Sequence, residues 1–227
     1  MSLWSRISDA LAAFTHGDSL AAVFERLRGA PERSVAFTIA VIALGAKMAK
    51  ADGRVTRDEV TAFREVFTIP QNEEKAAARV FDLARQDVAG FEEYARRVRR
   101  MFGPGQGPIC DLMEGLFFIA LADGAYHPRE DAFLARVGEI LGLSDPQFRT
   151  LRARFVPDLA PDPYTVLGVS PADDLEAIRA VWRNEVRESH PDRMIARGVP
   201  EEAVKLAEKR LVAVNAAWEA IRGDRAA

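Results

Sequence analysis

One cysteine, Cys110, in 227 residues leaves no partner for an internal disulfide. The simple expectation is a reducing compartment. Cys110 stands among Ile109, Leu112 and Met113, a setting for a buried structural cysteine more than for a reactive thiol. Also missing is an apolar run of the roughly 18–20 residues that a membrane-spanning helix needs. The longest candidate, Val35 to Met48, contains Thr38, Gly45 and Lys47. The start of the sequence lacks the basic residues and apolar block of a signal peptide. A cytoplasmic protein with no transmembrane segment is therefore expected. No long stretch alternates apolar and polar residues, which argues against β-strands. The net charge of -3 gives no overall attraction for nucleic acid, and none is expected as a partner.

What the chain has is helix. Hydrophobic residues make up 48% and charged residues 29%, a globular balance. Apolar residues recur at three- and four-residue spacings in segments dominated by Ala, Leu, Glu and Arg. Trp4, Ile7, Leu11 and Phe14 share one face of a first amphipathic segment. A membrane-surface helix would carry several basic residues opposite that face. Only Arg6 and Asp9 stand there, so docking onto the rest of the chain is expected. A strongly apolar helix, central to a bundle, is predicted from Glu32 to about Met48, ended by Asp52-Gly53. Thr56 to Glu59 has the form of a capping box and opens a helix to about Phe67. Helices over 72–86 and 88–102 follow, then a loop over Gly103-Pro104-Gly105-Gln106-Gly107-Pro108.

The next segment repeats an earlier one. Another apolar helix, Ile109 to Ala122, stops at Asp123-Gly124, and His127-Pro128-Arg129-Glu130 starts a helix. An offset of 71 residues aligns Asp52 with Asp123 and Glu59 with Glu130. This reads as an internal duplication. The four acids can converge across a pseudo-twofold bundle and bind a divalent cation through oxygens. The plainer reading is that the aspartates shape turns and the glutamates cap helices. His127 beside Glu130 is thin support for zinc without a cysteine pair. Ser144-Asp145-Pro146-Gln147 opens one more helix, ending near Phe155, and residues 156–162 form a proline-rich, semi-rigid linker.

Beyond it, Tyr164, Leu167 and Gly168-Val169 make a short helix and turn. Ser170-Pro171 is expected to start a second helix that runs to about Ser189. Its apolar side is Ile178, Trp182 and Val186; a row of Arg179, Arg183 and Arg187 lies opposite. Pro191 breaks this helix and stiffens the loop at His190-Pro191-Asp192. A final helix from about Pro200 carries Leu211, Val214, Trp218 and Ile221 on a packing seam. Two antiparallel helices would display His190 and Asp192 at their tip.

The Tyr-x-x-Leu-Gly-Val opening, the basic row, the His-Pro-Asp tripeptide and Asn215-x-x-Trp218 occur in that order from Asp162 to about Gly223. In this the segment resembles the J domain of DnaJ co-chaperones. The stretch Asp192 to Pro200 resembles the loop of DjlA-type J proteins, which carry a J domain behind a domain similar to the tellurite-resistance protein TerB. The duplicated Asp-Gly-x-x-x-x-x-Glu element is similar to the TerB fold. The resemblance implies an all-α chain: an N-terminal amphipathic segment (1–30), a TerB-like bundle with internal duplication (31–155), the linker (156–162), and a J-domain helical hairpin (163–227).

It also implies a co-chaperone, not an enzyme, that stimulates the ATPase of a DnaK-type chaperone. His190, Pro191, Asp192, Arg179, Arg183, Arg187 and Arg193 would contact that partner, while the TerB-like domain targets or senses. The client is not named by the sequence. TerB-like domains are associated with metal, so the alternative is a metal-binding or tellurite- and stress-response protein in which the J domain is secondary. A divalent cation would then sit at Asp52, Glu59, Asp123 and Glu130. Three departures stand out. No counterpart to the membrane helix of DjlA proteins is expected, Asn184 replaces a basic residue, and Glu185 takes a position that is usually apolar.

Overall fold

The structure is a computed structural model that describes residues 3–12, 32–52, 69, 71, 74–86, 90–103, 106–122, 124–156, 161–201 and 205–226. Among these there are eleven α-helices and no strand. They are α1 (Leu3–Ala12), α2 (Glu32–Asp52), α3 (Glu74–Gln86), α4 (Phe91–Phe102), α5 (Gln106–Ala120), α6 (Pro128–Leu141), α7 (Asp145–Phe155), α8 (Pro163–Leu167), α9 (Leu175–Glu188), α10 (Pro191–Ala196) and α11 (Lys205–Ala226).

A helix that is apolar on every side must be enclosed on every side. Residues 35–48 of α2 are all buried, and α1, α3, α4, α5 and α6 surround them. The second apolar helix, α5, lies against the first. A β-carbon on Gly45 would stand 3.2 Å from Ile119 Cδ1, so the missing side chain lets the two backbones approach. The apolar helices of the duplicated element thus pair at the centre. In the second copy, Gly124 turns the chain at a φ of 81°. The Glu130 carboxylate then accepts the His127 amide at 2.9 Å to open α6. The matching turn and helix of the first copy, from Gly53 to Phe67, lie outside the described residues. Ile7 of α1 is fully buried, as docking of that segment requires. No described helix is long and apolar enough to cross a membrane.

α4 shows how charge is kept at the rim. Tyr94, Ala95 and Val98 face inward, and Glu92 and Glu93 pair with Arg96 and Arg97 one turn on. Its acidic start and basic end also complement the helix dipole. The expected loop over 103–108 is shorter than the glycines and prolines suggest. Gly107 and Pro108 lie in the first turn of α5, where amide groups have no intrahelical acceptor and a proline sacrifices no bond.

The C-terminal hairpin has its own small core of Val166, Leu167, Ile178, Val214, Ala217, Trp218 and Ile221. Trp182 stacks on Trp218 with ring centroids 5.2 Å apart, and its indole N–H donates to Asn215 Oδ1 at 2.8 Å. That pairing is the physical content of the Asn-x-x-Trp spacing. Leu211, expected on the seam, is only half-buried. α9 begins at Leu175, not Ser170. Asp173 accepts the Ser170 amide at 2.8 Å and so closes a separate turn, and Asp174 caps the helix through the Ala177 amide at 2.7 Å.

The hairpin also packs on the N-terminal body. Met194, Val199, Leu206 and Ala207 are buried in the first core, and Arg154 Nε donates to the Val166 carbonyl at 3.0 Å. Residues 157–160 of the expected linker lie outside the described residues.

Candidate functional site

α9 carries the arginine row on the face its core residues leave free. Arg183 and Arg187 are exposed and Arg179 is half-exposed. Arg179 meets Glu176 at 3.5 Å, and Arg187 donates to Asn184 Oδ1 at 2.5 Å. Exposed pairs of this kind hold a side chain weakly, so the row stays a cationic surface. Asn184 stands within the row as an acceptor for Arg187. Glu185 turns the other way, toward the body, and meets Arg154 at 2.9 Å. An acid at this position makes sense because Arg154 of α7 reaches it.

The row leads into the His-Pro-Asp tip. Sequence reasoning places a stiffened loop there, but the structure places a short helix. The tertiary amide of Pro191 ends α9 and then serves as the first residue of α10, a position where proline is tolerated. His190 caps α10: its Nδ1 accepts the Asp192 amide at 3.2 Å. That bond leaves Nδ1 as the acceptor and turns Nε2, with its proton, outward. The side chains of His190 and Asp192 are 61% and 87% exposed, so neither is consumed by the fold. Arg193 reaches back to the Glu188 carboxylate, and Ile195 is exposed beside it.

α10 closes with two bonds that define its end. Gly198, at a φ of 98°, donates to the Ile195 carbonyl, and Val199 donates to that of Met194. Met194 and Val199 are both buried, the apolar contact that accompanies this cap.

Beneath the tip lies a charged cluster that sequence reasoning missed. Asp111 and Glu114 of α5 are fully buried. Arg210 of α11 donates to both Glu114 oxygens, at 2.8 and 2.5 Å, and to Asp111 at 2.5 Å. Arg197 bridges Asp111 and Glu188, and Arg154 lies 3.9 Å from Glu114. Burial opposes the charge on Arg210, but Glu114 and Asp111 outweigh it and raise its pKa. Burial pushes the Glu114 carboxyl up, against the pull of Arg210. A sequence signal was present. Asp111 and Glu114 interrupt an apolar run three residues apart, and Arg210 falls on the buried side of α11.

Cys110 is only partly buried against the core, and this desolvation, with Glu114 and Asp111 nearby, pushes its thiol up to about 12. A thiol held this far from its thiolate is a poor nucleophile. Alkylation of Cys110 by iodoacetamide at neutral pH is expected to run at least about tenfold slower in the native chain than in urea. Equal rates would contradict this burial.

Of the four acids aligned by the duplication, only Glu130 is described to its side chain, and its carboxylate caps α6. The Asp52 side chain, Glu59 and Asp123 lie outside the described residues. Among the described residues, no group of three or more His, Cys, Asp or Glu side chains is arranged to hold a metal ion.

Comparison with known proteins bears on both halves. The family described as tellurite resistance protein TerB matches residues 38–153, half of the chain. The chain is similar to the co-chaperone protein DjlA of Photobacterium profundum, 26% identical over 220 residues, covering 86% of this chain and 79% of that protein. The DjlA proteins of Escherichia coli K12 and Vibrio cholerae are also 26% identical, over 86% of this chain and 81% and 80% of their own. No solved structure matches the chain.

Proposed function

From a chain that belongs to the TerB family, with an exposed His-Pro-Asp tip at the end of its C-terminal hairpin, we propose a J-domain co-chaperone that stimulates the ATPase of a DnaK-type chaperone. The observation that carries this reading is the continuous surface from Arg179 through Arg183 and Arg187 to His190 and Asp192. Its relatives along most of its length are named co-chaperones.

The division of labour follows from physical chemistry. A cationic row accelerates and orients encounter with an acidic partner patch. A capped, proline-started turn presents His190 and Asp192 with little ordering cost on binding. The chain supplies no nucleophile at the tip and acts by changing its partner's turnover, not by catalysis of its own. The TerB domain then targets or senses, and the pair works in the cytoplasm.

The test is ATP hydrolysis by a DnaK-type chaperone with and without the full chain. Acceleration is expected, with a half-saturating concentration that rises with salt. The double variant Arg183→Glu, Arg187→Glu is expected to raise that concentration at least about tenfold, since reversed charges repel the same patch. A wild-type chain that leaves ATP turnover unchanged sinks the proposal.

A further inference from the structure

α10 has only six residues, from Pro191 to Ala196. A helix this short does not hold itself together in water. Something outside it must fix the tip. Part of the answer is apolar, since Met194 and Val199 are anchored in the core of the body. The polar part includes the Arg193–Glu188 pair within the hairpin, but between the tip and the body it centres on Arg197.

Arg197 follows α10 directly, and every nitrogen of its guanidinium is engaged. Nε and Nη2 donate to the two Asp111 oxygens at 3.0 and 3.2 Å, a fork-on-carboxylate pair. Nη1 donates to the Glu188 carboxylate at 3.0 Å. Nη1 and Nη2 both reach the Glu188 carbonyl at 3.1 Å. That carbonyl belongs to the last residue of α9, where helix carbonyls have no partner of their own and the helix dipole favours a cation. Asp111 is fully buried in α5. One side chain therefore joins the body to the residue two places before His190.

A second observation, independent of these bonds, shows that space was kept for this side chain. A β-carbon on Gly107 would lie 2.6 Å from Arg197 Cδ and 3.0 Å from Nε. Gly107 sits in the first turn of α5, where glycine has no conformational need to be. Its missing side chain is the channel through which Arg197 reaches Asp111.

We propose that Arg197 is a positioning residue for the His190-Pro191-Asp192 tip, through which α5 of the TerB body sets the tip's orientation. The proposal rests on the reading of the tip as the ATPase-stimulating element. Arg197 touches no reacting group. It acts by keeping His190 and Asp192 in one arrangement.

Hydrogen exchange on the full chain tests this without any partner. In Arg197→Ala, the amides of His190, Asp192 and Arg193 are expected to exchange at least about tenfold faster, while those in the middle of α5, α9 and α11 keep their rates. Asp111 retains Arg210, so the fold is expected to survive. Gly107→Ala should give the same local loosening by crowding Arg197. It removes no charge and improves helix propensity by up to about 1 kcal/mol. Arg197→Lys, which keeps the charge without the fork, should fall between.

In the ATPase assay, Arg197→Ala is expected to lower maximal stimulation at least about fivefold. The half-saturating concentration should stay within about twofold, because the arginine row that steers encounter is intact. Unchanged exchange at the tip overturns the proposal. So does faster exchange everywhere, which would make Arg197 a residue of global stability. A loosened tip with undiminished maximal stimulation also overturns it. If the wild-type chain does not stimulate at all, the ATPase reading fails, and the hold of Arg197 on the tip is decided by the exchange rates alone.

Discussion

A His190→Gln chain is expected to leave a DnaK-type chaperone at its unstimulated rate of ATP hydrolysis while remaining folded. The two halves of this expectation have separate causes. The imidazole is 61% exposed, and its one hydrogen bond among the described residues is the 3.2 Å cap to the Asp192 amide. Losing a cap of this kind costs about 1 kcal/mol, which moves a melting curve but does not unfold a domain. Function is another matter. The ring fixes two nitrogens at a rigid separation, one turned back to cap α10 and one turned outward. Glutamine has similar reach and hydrogen-bonding capacity, but with an additional rotatable bond it cannot keep both directions at once. The measurement is single-turnover ATP hydrolysis beside circular dichroism. A folded variant that stimulates like wild type would remove the J-protein mechanism.

The largest effect on stability is expected at Arg210. Arg210→Ala strips the bidentate partner from Glu114 and a 2.5 Å contact from Asp111, both fully buried. Arg197 still holds Asp111, but Glu114 is left with only Arg154 at 3.9 Å, and breaking a buried pair in this way costs up to about 3–5 kcal/mol, a large share of a small protein's total. The loss should depend on pH in a defined direction. Burial raises the Glu114 pKa in the folded chain, and removing Arg210 removes the main force against that rise. The folded state then favours the protonated acid. Stability is fully present below the unfolded value of about 4.3 and is lost as pH rises through the folded one. Urea denaturation should therefore show a smaller deficit near pH 4 than near pH 7. Glu114→Gln added to Arg210→Met should recover much of the loss, because a buried pair replaced as a unit is often neutral. A deficit independent of pH would mean that Arg154 alone suffices to hold the Glu114 charge.

Local signals in the sequence proved readable, and long-range ones did not. The caps at Ser144 and Glu130 need only residues three apart, and both helices begin where those residues place them. The apolar helix around Val35 to Met48 is buried throughout because its composition allows nothing else. The Trp182 and Trp218 seams meet as their spacing suggests. The pattern is ambiguous where two local rules compete. Pro171 can open a helix or sit in a turn, and the Asp173 carboxylate decides for the turn. Pro191 ends one helix and begins another, and the local rule for proline predicts only the first role. The charged cluster was out of reach for a different reason. Arg210 lies 96 residues from Glu114, and Arg197 lies 86 from Asp111. No window on the sequence spans such a pair. A charged residue in an apolar run announces that a partner exists without saying where.

The four apolar residues that the hairpin lends to the first core also bear on how the chain is made. A ribosome releases the N-terminal helices first, and domains commonly fold as they emerge. Here α2 and α5 would emerge with a gap where Met194, Val199, Leu206 and Ala207 belong, and with Asp111 and Glu114 still lacking Arg197 and Arg210. The body cannot seal until α11 has been translated as far as Arg210. Its nascent form therefore presents the kind of exposed apolar surface that a chaperone recognises, and the tip becomes rigid only at the moment that surface disappears.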